Sequence, residues 1–298
     1  MYKTIHRKLL TAVVGAAVGA LVLPAHAEFA LGEETKGINV KFNDEADMNI
    51  RVRLQPRLDL GEIGQNSTTR QFYSESDFYL RRIRLETEGS LVKGLKYNLT
   101  LSADREDQNY RARTSTNSAT TSAADDQKLG VHYAYLDYTF AKPFAVRFGQ
   151  FKLPLSRISL SSSARQLIVE RPFSSEDAKG LFGDYEQVEL MLHGSVAGGI
   201  FKYMLAAADG SDQNRAGTAY VNTDAELAYI GRLEFSPPGF TEKGQSDAHL
   251  GKGRHLTFGL NAGSQGGVKA NGGAIETNRE LMGADISFHL GGFTAQAE

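Results

Sequence analysis

The sequence predicts an all-β chain of two-faced strands, a transmembrane antiparallel β-barrel, and three observations predict it. Hydrophobicity alternates with period two through much of the chain. The connections between the alternating segments are by turns short and long. An export signal opens the chain, and no later stretch reaches the roughly 18 apolar residues of a membrane helix. The composition agrees. Mean hydropathy is −0.33, which excludes a bundle of membrane helices but suits strands that turn one face to water. Glycine is abundant (31), proline scarce (7), and tryptophan and cysteine are absent. Without cysteine there is no disulfide scaffold, thiolate metal site, Cys nucleophile or lipoprotein anchor. Lys and Arg number 33 against 35 Asp and Glu, so no basic excess points to nucleic acid.

Residues 1–27 read as a secretory signal peptide. Lys3, Arg7 and Lys8 form a basic start, Leu9 to Leu23 an apolar run, and Ala25-His26-Ala27 a small-x-small cleavage site. An uncleaved anchor is the alternative, but the apolar run is short for a span. Residues 28–298 are then expected to be one partial outer-membrane barrel.

The first strand shows the pattern most cleanly. From Met48 to Leu60 every even position is apolar except the tolerated Pro56, and Asn49, Arg51, Arg53, Gln55, Arg57 and Asp59 fill the odd ones. Period two places the two sets on opposite faces. The same alternation marks Leu95–Asp104, Ala225–Phe235, His255–Asn261 and Gly283–Leu290. Asp77–Gly89, Val131–Phe140, Phe144–Lys152, Tyr185–Gly194 and Ile200–Ala208 follow it less strictly, and Gly292–Glu298 begins another. About eleven strands result.

Short connections fall at Val92–Gly94, Ala141–Pro143, Val196–Gly199 and Gly291–Gly292. Long polar ones fall at about Arg105–Gly130, Leu153–Asp184, Asp209–Asp224 and Gly263–Asn278. Outer-membrane barrels are strung this way, with tight periplasmic turns and long extracellular loops. Ser236–Arg254 breaks the rule, being long where a short turn is due. A secreted β-sandwich or jelly roll would also alternate, but its loops need not.

The stretch Phe78-Tyr-Leu-Arg-Arg-Ile-Arg-Leu-Glu-Thr-Glu-Gly89 resembles the arginine-rich early strand of the phosphate-selective porin O/P family. So do Tyr135-Leu-Asp-Tyr138 and Phe148-Gly-Gln-Phe-Lys-Leu-Pro-Leu155, and Ser161–Ser163 with Glu170-Arg171-Pro172 resemble that family's third loop. The resemblance implies a sixteen-stranded channel in a Gram-negative outer membrane, usually a homotrimer in contact with lipid and lipopolysaccharide. It implies a third loop folded into the lumen as a constriction, and basic lumen residues that draw small anions such as phosphate. Sixteen strands would need on the order of 400 residues. The expectation is therefore a C-terminally truncated piece, with a complete smaller barrel as the alternative.

A diffusion channel needs a polar wall and a narrow place where charge sets selectivity. Candidate wall residues are Arg51, Arg53 and Arg57 on the first strand, Arg82 and Arg84 on the second, opposite Tyr79, Ile83 and Leu85, and Arg147. Guanidinium is permanently charged and forks onto oxyanions. Glu86, Glu88 and Asp59 could instead neutralise these arginines as wall ion pairs. Over all expected inward positions acids and bases balance, so selectivity would rest on where they cluster. Candidates around the constriction are Lys152, Arg157, Ser161, Ser162, Ser163, Arg165, Arg171 and Lys179, set against Glu170, Glu176 and Asp177. Asp209-Gly-Ser-Asp212 with Asn214 lacks the closing Glu of a calcium loop. No His pair has metal-ligand spacing, and no nucleophile motif occurs. No cofactor, metal or catalytic residue is expected. A channel without anion preference, a barrel sheathing a periplasmic partner, and an outer-membrane hydrolase are the competing readings. The first needs no charge clustering and the second an unblocked lumen. The third needs a Ser/His/acid set that the spacing does not supply.

Overall fold

The computed structural model describes residues 37–65, 72–103, 129–162, 181–183, 186–210, 226–240, 253–270 and 275–298. The expected signal peptide, Asp104, Ser163, Arg165, Glu170, Arg171, Glu176, Asp177, Lys179, Asp212 and Asn214 lie outside the described residues, as does the side chain of Asp59.

Alternation becomes sheet almost throughout. Among the described residues twelve strands follow one another: β1 (Ile38–Lys41), β2 (Asp47–Gln65), β3 (Phe72–Val92), β4 (Leu95–Ser102), β5 (Gly130–Ala141), β6 (Phe144–Lys152), β7 (Glu186–Val196), β8 (Phe201–Ala208), β9 (Ala228–Phe235), β10 (His255–Ala270), β11 (Ile275–Leu290) and β12 (Phe293–Ala297). They build a single sheet in chain order, each strand antiparallel to the next. The soluble alternative required two packed sheets. β1 and β12 are the two edges of this one, and neither pairs with the other in the ladder.

Three expectations need correction. The count of about eleven missed β1, whose four residues carry only Ile38 and Val40 as an apolar signal; it is held by its ladder to Asp47–Ile50. Gly263–Asn278 is not a long loop, because β10 runs on to Ala270 and β11 starts at Ile275, joined through a register shift between Gln265 and Val268. Backbone pairing there does not depend on side-chain hydrophobicity, so the glycines hid it. Finally, the register moves between Gln55 and Pro56, which face Arg82 and Leu80, so Arg81 stands in a bulge. This bulge breaks the period-two reading of Asp77–Gly89. Tyr79 pairs with Arg57 in the ladder, whereas Arg82 pairs with Gln55.

One face of the sheet is an apolar belt. Val52 is 68% exposed, and Leu54, Leu58, Leu136, Phe148, Leu190, Leu205, Leu233, Leu260 and Met282 are exposed beside it on successive strands. A soluble monomer rarely shows a patch beyond a few hundred Å². With tryptophan absent, phenylalanines line the short-turn end of this face. Phe140 and Phe144 lie 5.1 Å apart, Phe201 and Phe235 5.1 Å, and Phe235 and Phe258 6.2 Å between ring centroids. Aromatic girdles occupy this position in membrane barrels. The turns there are tight, and Gly94, at φ +82, closes the β3–β4 hairpin in the left-handed region that a side chain resists.

The other face is polar. Arg84, Glu86, Asn98, Thr100, Asp137, Gln187, Glu189, Arg232, Glu234, Thr257, Asn261, Asp285 and Ser287 are buried there. Two apolar islands interrupt it. Leu153, Leu155, Phe182, Ala208, Ala228 and Ile230 form one, and Phe151, Met191 and Ala206, flanked by Tyr133, Tyr135 and Met204, form the other.

Candidate functional site: the polar face of the sheet

The arginines of β2 and β3 meet because the register sets them side by side. Arg51 faces Glu86, Arg53 faces Arg84, and Gln55 faces Arg82. Arg51 Nε lies 3.3 Å from Glu86 Oε2 and its Nη2 2.9 Å from Glu88 Oε1. Arg53 Nη2 lies 2.8 Å from Glu86 Oε1. Arg82 Nη1 donates to Gln55 Oε1 at 3.2 Å. The neutralising ion pairs thus form for Arg51 and Arg53, at the end of the strands nearer the short turns. Arg57 and Arg82 sit nearer the long connections, and Arg84 stands on the rung of Arg53. Over β2 to β4, Arg51, Arg53, Arg57, Arg82, Arg84 and Lys96 outnumber Asp47, Glu86 and Glu88 among the described inward side chains.

On β5 and β6, Arg147 is fixed from two directions. Its Nε and Nη2 donate to Asp137 Oδ2 at 2.8 and 2.6 Å. Its guanidinium lies 4.5 Å from the Tyr135 ring centroid and 5.2 Å from that of Phe151. His193 of β7 reaches the same carboxylate, Nε2 to Oδ2 3.2 Å. Arg147 keeps 27% of its side chain exposed. Glu189 is different in kind. It is 2% exposed, and neither carboxylate oxygen has a hydrogen-bond partner.

The described parts of the β6–β7 connection lie on this polar face, over β8 to β12. Lys152 Nζ donates to Ser161 O at 2.8 Å. Ser156 caps a single turn, α1 (Arg157–Leu160), in a reciprocal box with Ser159. The Ile158 N–H of that turn donates to Glu298 Oε1 at 2.5 Å. On the return, Phe182 enters the island of Leu153, Ala208, Ala228 and Ile230. A Cβ at Gly263 would stand 3.0 Å from the Phe182 ring, so the seat exists because β10 has a glycine there. Gln187 Nε2 donates to Phe182 O, and Arg279 Nη1 to Leu181 O at 2.6 Å. Arg157 is 2% exposed and Ser161 fully buried, its Oγ donating to Arg157 O. The Ser161 hydroxyl thus ties down the turn, and both side chains face away from solvent, whereas Ser162 is partly exposed.

Arg232 and Glu234 on β9 and Asp285 on β11 share the polar face and join there. Arg232 Nη1 and Nη2 bind Asp285 Oδ2 and Oδ1 at 2.5 and 2.9 Å, and its Nε binds Glu234 Oε1 at 2.9 Å. Arg232 is on β9 and Asp285 on β11, so the pair arches over β10. Gly259 lies directly opposite both Asp285 and Glu234, and a Cβ there would overlap the guanidinium and the carboxylate. A glycine between two inward charges two strands apart is the signal that could have found it. Among the described residues no group of three His, Asp or Glu side chains could hold a metal.

A wall of charged and polar side chains is backed by an apolar outer face. No helix among the described residues is long and apolar enough to cross a membrane, which leaves strands untested by that criterion. The chain is similar to an uncharacterised protein of Aquifex aeolicus (strain VF5), 41% identical over 283 aligned residues that span 89% of this chain and 67% of that protein. The family model described as phosphate-selective porin O and P matches residues 50–293, from within β2 to the start of β12, and the chain belongs to that family.

Proposed function

We propose that the chain forms a water-filled outer-membrane channel for passive diffusion of small anions such as phosphate. Family membership supports a channel rather than an enzyme. The observation that carries the anion preference is the basic excess among the described inward side chains of β2 to β4, with Arg57 and Arg82 toward the long connections. In a narrow passage with low-dielectric walls such an excess focuses the field and concentrates anions. Water-lined charge at the wall needs no conformational change to act, so passage is driven by the gradient alone.

On this reading the apolar face meets outer-membrane lipid and, at the loop end, lipopolysaccharide. The leader is cleaved on export, the barrel assembles as a homotrimer, and further strands complete the sheet between its two edges toward sixteen. The β6–β7 connection narrows the lumen. Its seat over β8 to β12 leaves the β2 to β6 wall as the open side, so the arginines of β2, β3 and β6 face the solute more directly than Arg157 or Ser161.

The test is the reversal potential in a KCl gradient across a planar bilayer holding the protein. Anion preference is expected in the native chain. Arg57→Gln/Arg82→Gln/Arg84→Gln should move the reversal potential toward zero. A native chain with no anion preference would overturn the proposal and leave a general small-solute channel.

A further inference from the structure

Near the short-turn end of the same wall one carboxylate serves two bases. Asp137 of β5 is buried and accepts from Nε and Nη2 of Arg147 on β6. From β7, His193 Nε2 lies 3.3 and 3.2 Å from Oδ1 and Oδ2 of the same group. The Tyr135 and Phe151 rings flank the Arg147 guanidinium, so its position does not depend on Asp137 alone. His193 and Arg147 keep 22% and 27% of their side chains exposed, so both face the water of a channel while Asp137 lies beneath them.

The strands around His193 set no second acid against it. Directly opposite stand Ala145 of β6 and Met204 of β8, which carry no charge. Lys96 of β4 faces Asp137, and Lys202 of β8 faces Ser195, the next inward position after His193. Glu234 of β9 faces Lys202 and is bound to Arg232. Glu189, on β7 itself, is two inward positions away toward the long connections. Among the described residues Asp137 is the carboxylate within ion-pair distance of His193.

With the imidazole neutral, Asp137 and Arg147 cancel. A protonated imidazole must share the same carboxylate, and the three groups together then carry one net positive charge. Imidazole is the side chain whose charge ordinarily changes between about pH 5 and 8. We propose that His193 is a proton-operated control of anion passage: acidification adds one positive charge to the lumen wall at its short-turn end and draws anions through it more strongly. The inference rests on the polar face being a channel wall, but not on anion preference at neutral pH. Nothing has to move for it to act, because Arg147 and Asp137 are already paired and held by their neighbours.

The experiment uses the full chain in planar bilayers, with the reversal potential read in a KCl gradient at about pH 8 and again at about pH 5.5, still above the ordinary carboxylate range. The anion-to-cation permeability ratio of the native channel should rise about twofold or more on acidification, the effect of one unit charge about 8 Å from a passing ion in water. His193→Gln, which keeps a hydrogen-bond donor for Asp137, should hold the ratio at its alkaline value throughout. His193→Lys should hold it near the acid value at both. His132→Gln, at the other histidine beside a carboxylate, Glu186 at 3.5 Å, should leave the step in place. A native ratio indifferent to pH, a step that survives in His193→Gln, or one that disappears in His132→Gln would overturn the proposal. The native ratio at the alkaline pH reads the anion proposal separately, so either can fail alone.

Discussion

Replacing Phe182 by alanine should release the β6–β7 connection from the wall. Phe182 is fully buried among Leu153, Leu155, Ala208, Ala228 and Ile230, with Gly263 beneath its ring. Truncating a buried phenylalanine costs about 3–5 kcal/mol. That is roughly two to three and a half powers of ten in the equilibrium between seated and released connection. The segment between the two anchors contains Arg165 and Lys179, which are trypsin sites; Arg171 is not one, because Pro172 follows it. When opening is fast relative to cleavage, proteolysis tracks the open population. The folded Phe182→Ala protein in detergent should therefore be cut within residues 163–180 at least a hundredfold faster than the native chain, with the strands intact. Gly263→Ala supplies the complementary probe. Its Cβ would crowd the ring and cost about 1–3 kcal/mol. Combined with Phe182→Ala it meets no ring, so the double variant should be no worse than Phe182→Ala alone, a coupling expected only of residues in contact. Cleavage unchanged within twofold in Phe182→Ala, or strictly additive effects, would refute the seat.

Val52→Arg puts a charge on the lipid face, at about 2–4 kcal/mol near mid-membrane, and should impair assembly, while Arg53→Gln should not; yields of heat-modifiable folded protein on gels compare them. Gly259→Ala should separate Arg232 from Asp285 and destabilise by about 3–5 kcal/mol, the cost of breaking a buried pair, read as a lower urea midpoint for unfolding. The reversal-potential shift of the Arg57/Arg82/Arg84 glutamine variant should shrink between 0.1 and 1 M KCl, because the screening length falls from about 10 to about 3 Å; a shift independent of salt would place the effect elsewhere.

Faces were legible in the sequence wherever alternation was strict. Val52 and Leu54 point outward and Arg51 and Arg53 inward, as period two requires. Legibility stopped where a local pattern had to compete with pairing. β1 offers too few residues to show a period. Residues 263–270 look like a loop because glycines stand at 263, 266 and 267 and a register shift breaks the period before the buried Val268. The bulge at Arg81 shifts the parity of β3 without any mark in composition. The site was legible as a set of charged residues but not as partners, since Arg51 finds Glu86 and Arg232 finds Asp285 through register across separate strands. Nothing near Phe182 in the sequence announces Gly263, 81 residues away.

The bridge over Gly259 bears on how the sheet finds its alignment. A slip of β10 by one residue would turn its apolar side chains inward and is rejected by hydrophobicity alone. A slip by two keeps every side chain on its proper face, and the alternation cannot distinguish it from the native pairing. Such a slip brings Thr257 or Asn261 beneath the guanidinium and carboxylate in place of glycine. Either side chain would prise the ion pair apart and leave two buried charges unmatched. The missing Cβ therefore acts as a notch that admits one alignment of three strands, supplying the selectivity between even-numbered slips that a period-two pattern lacks.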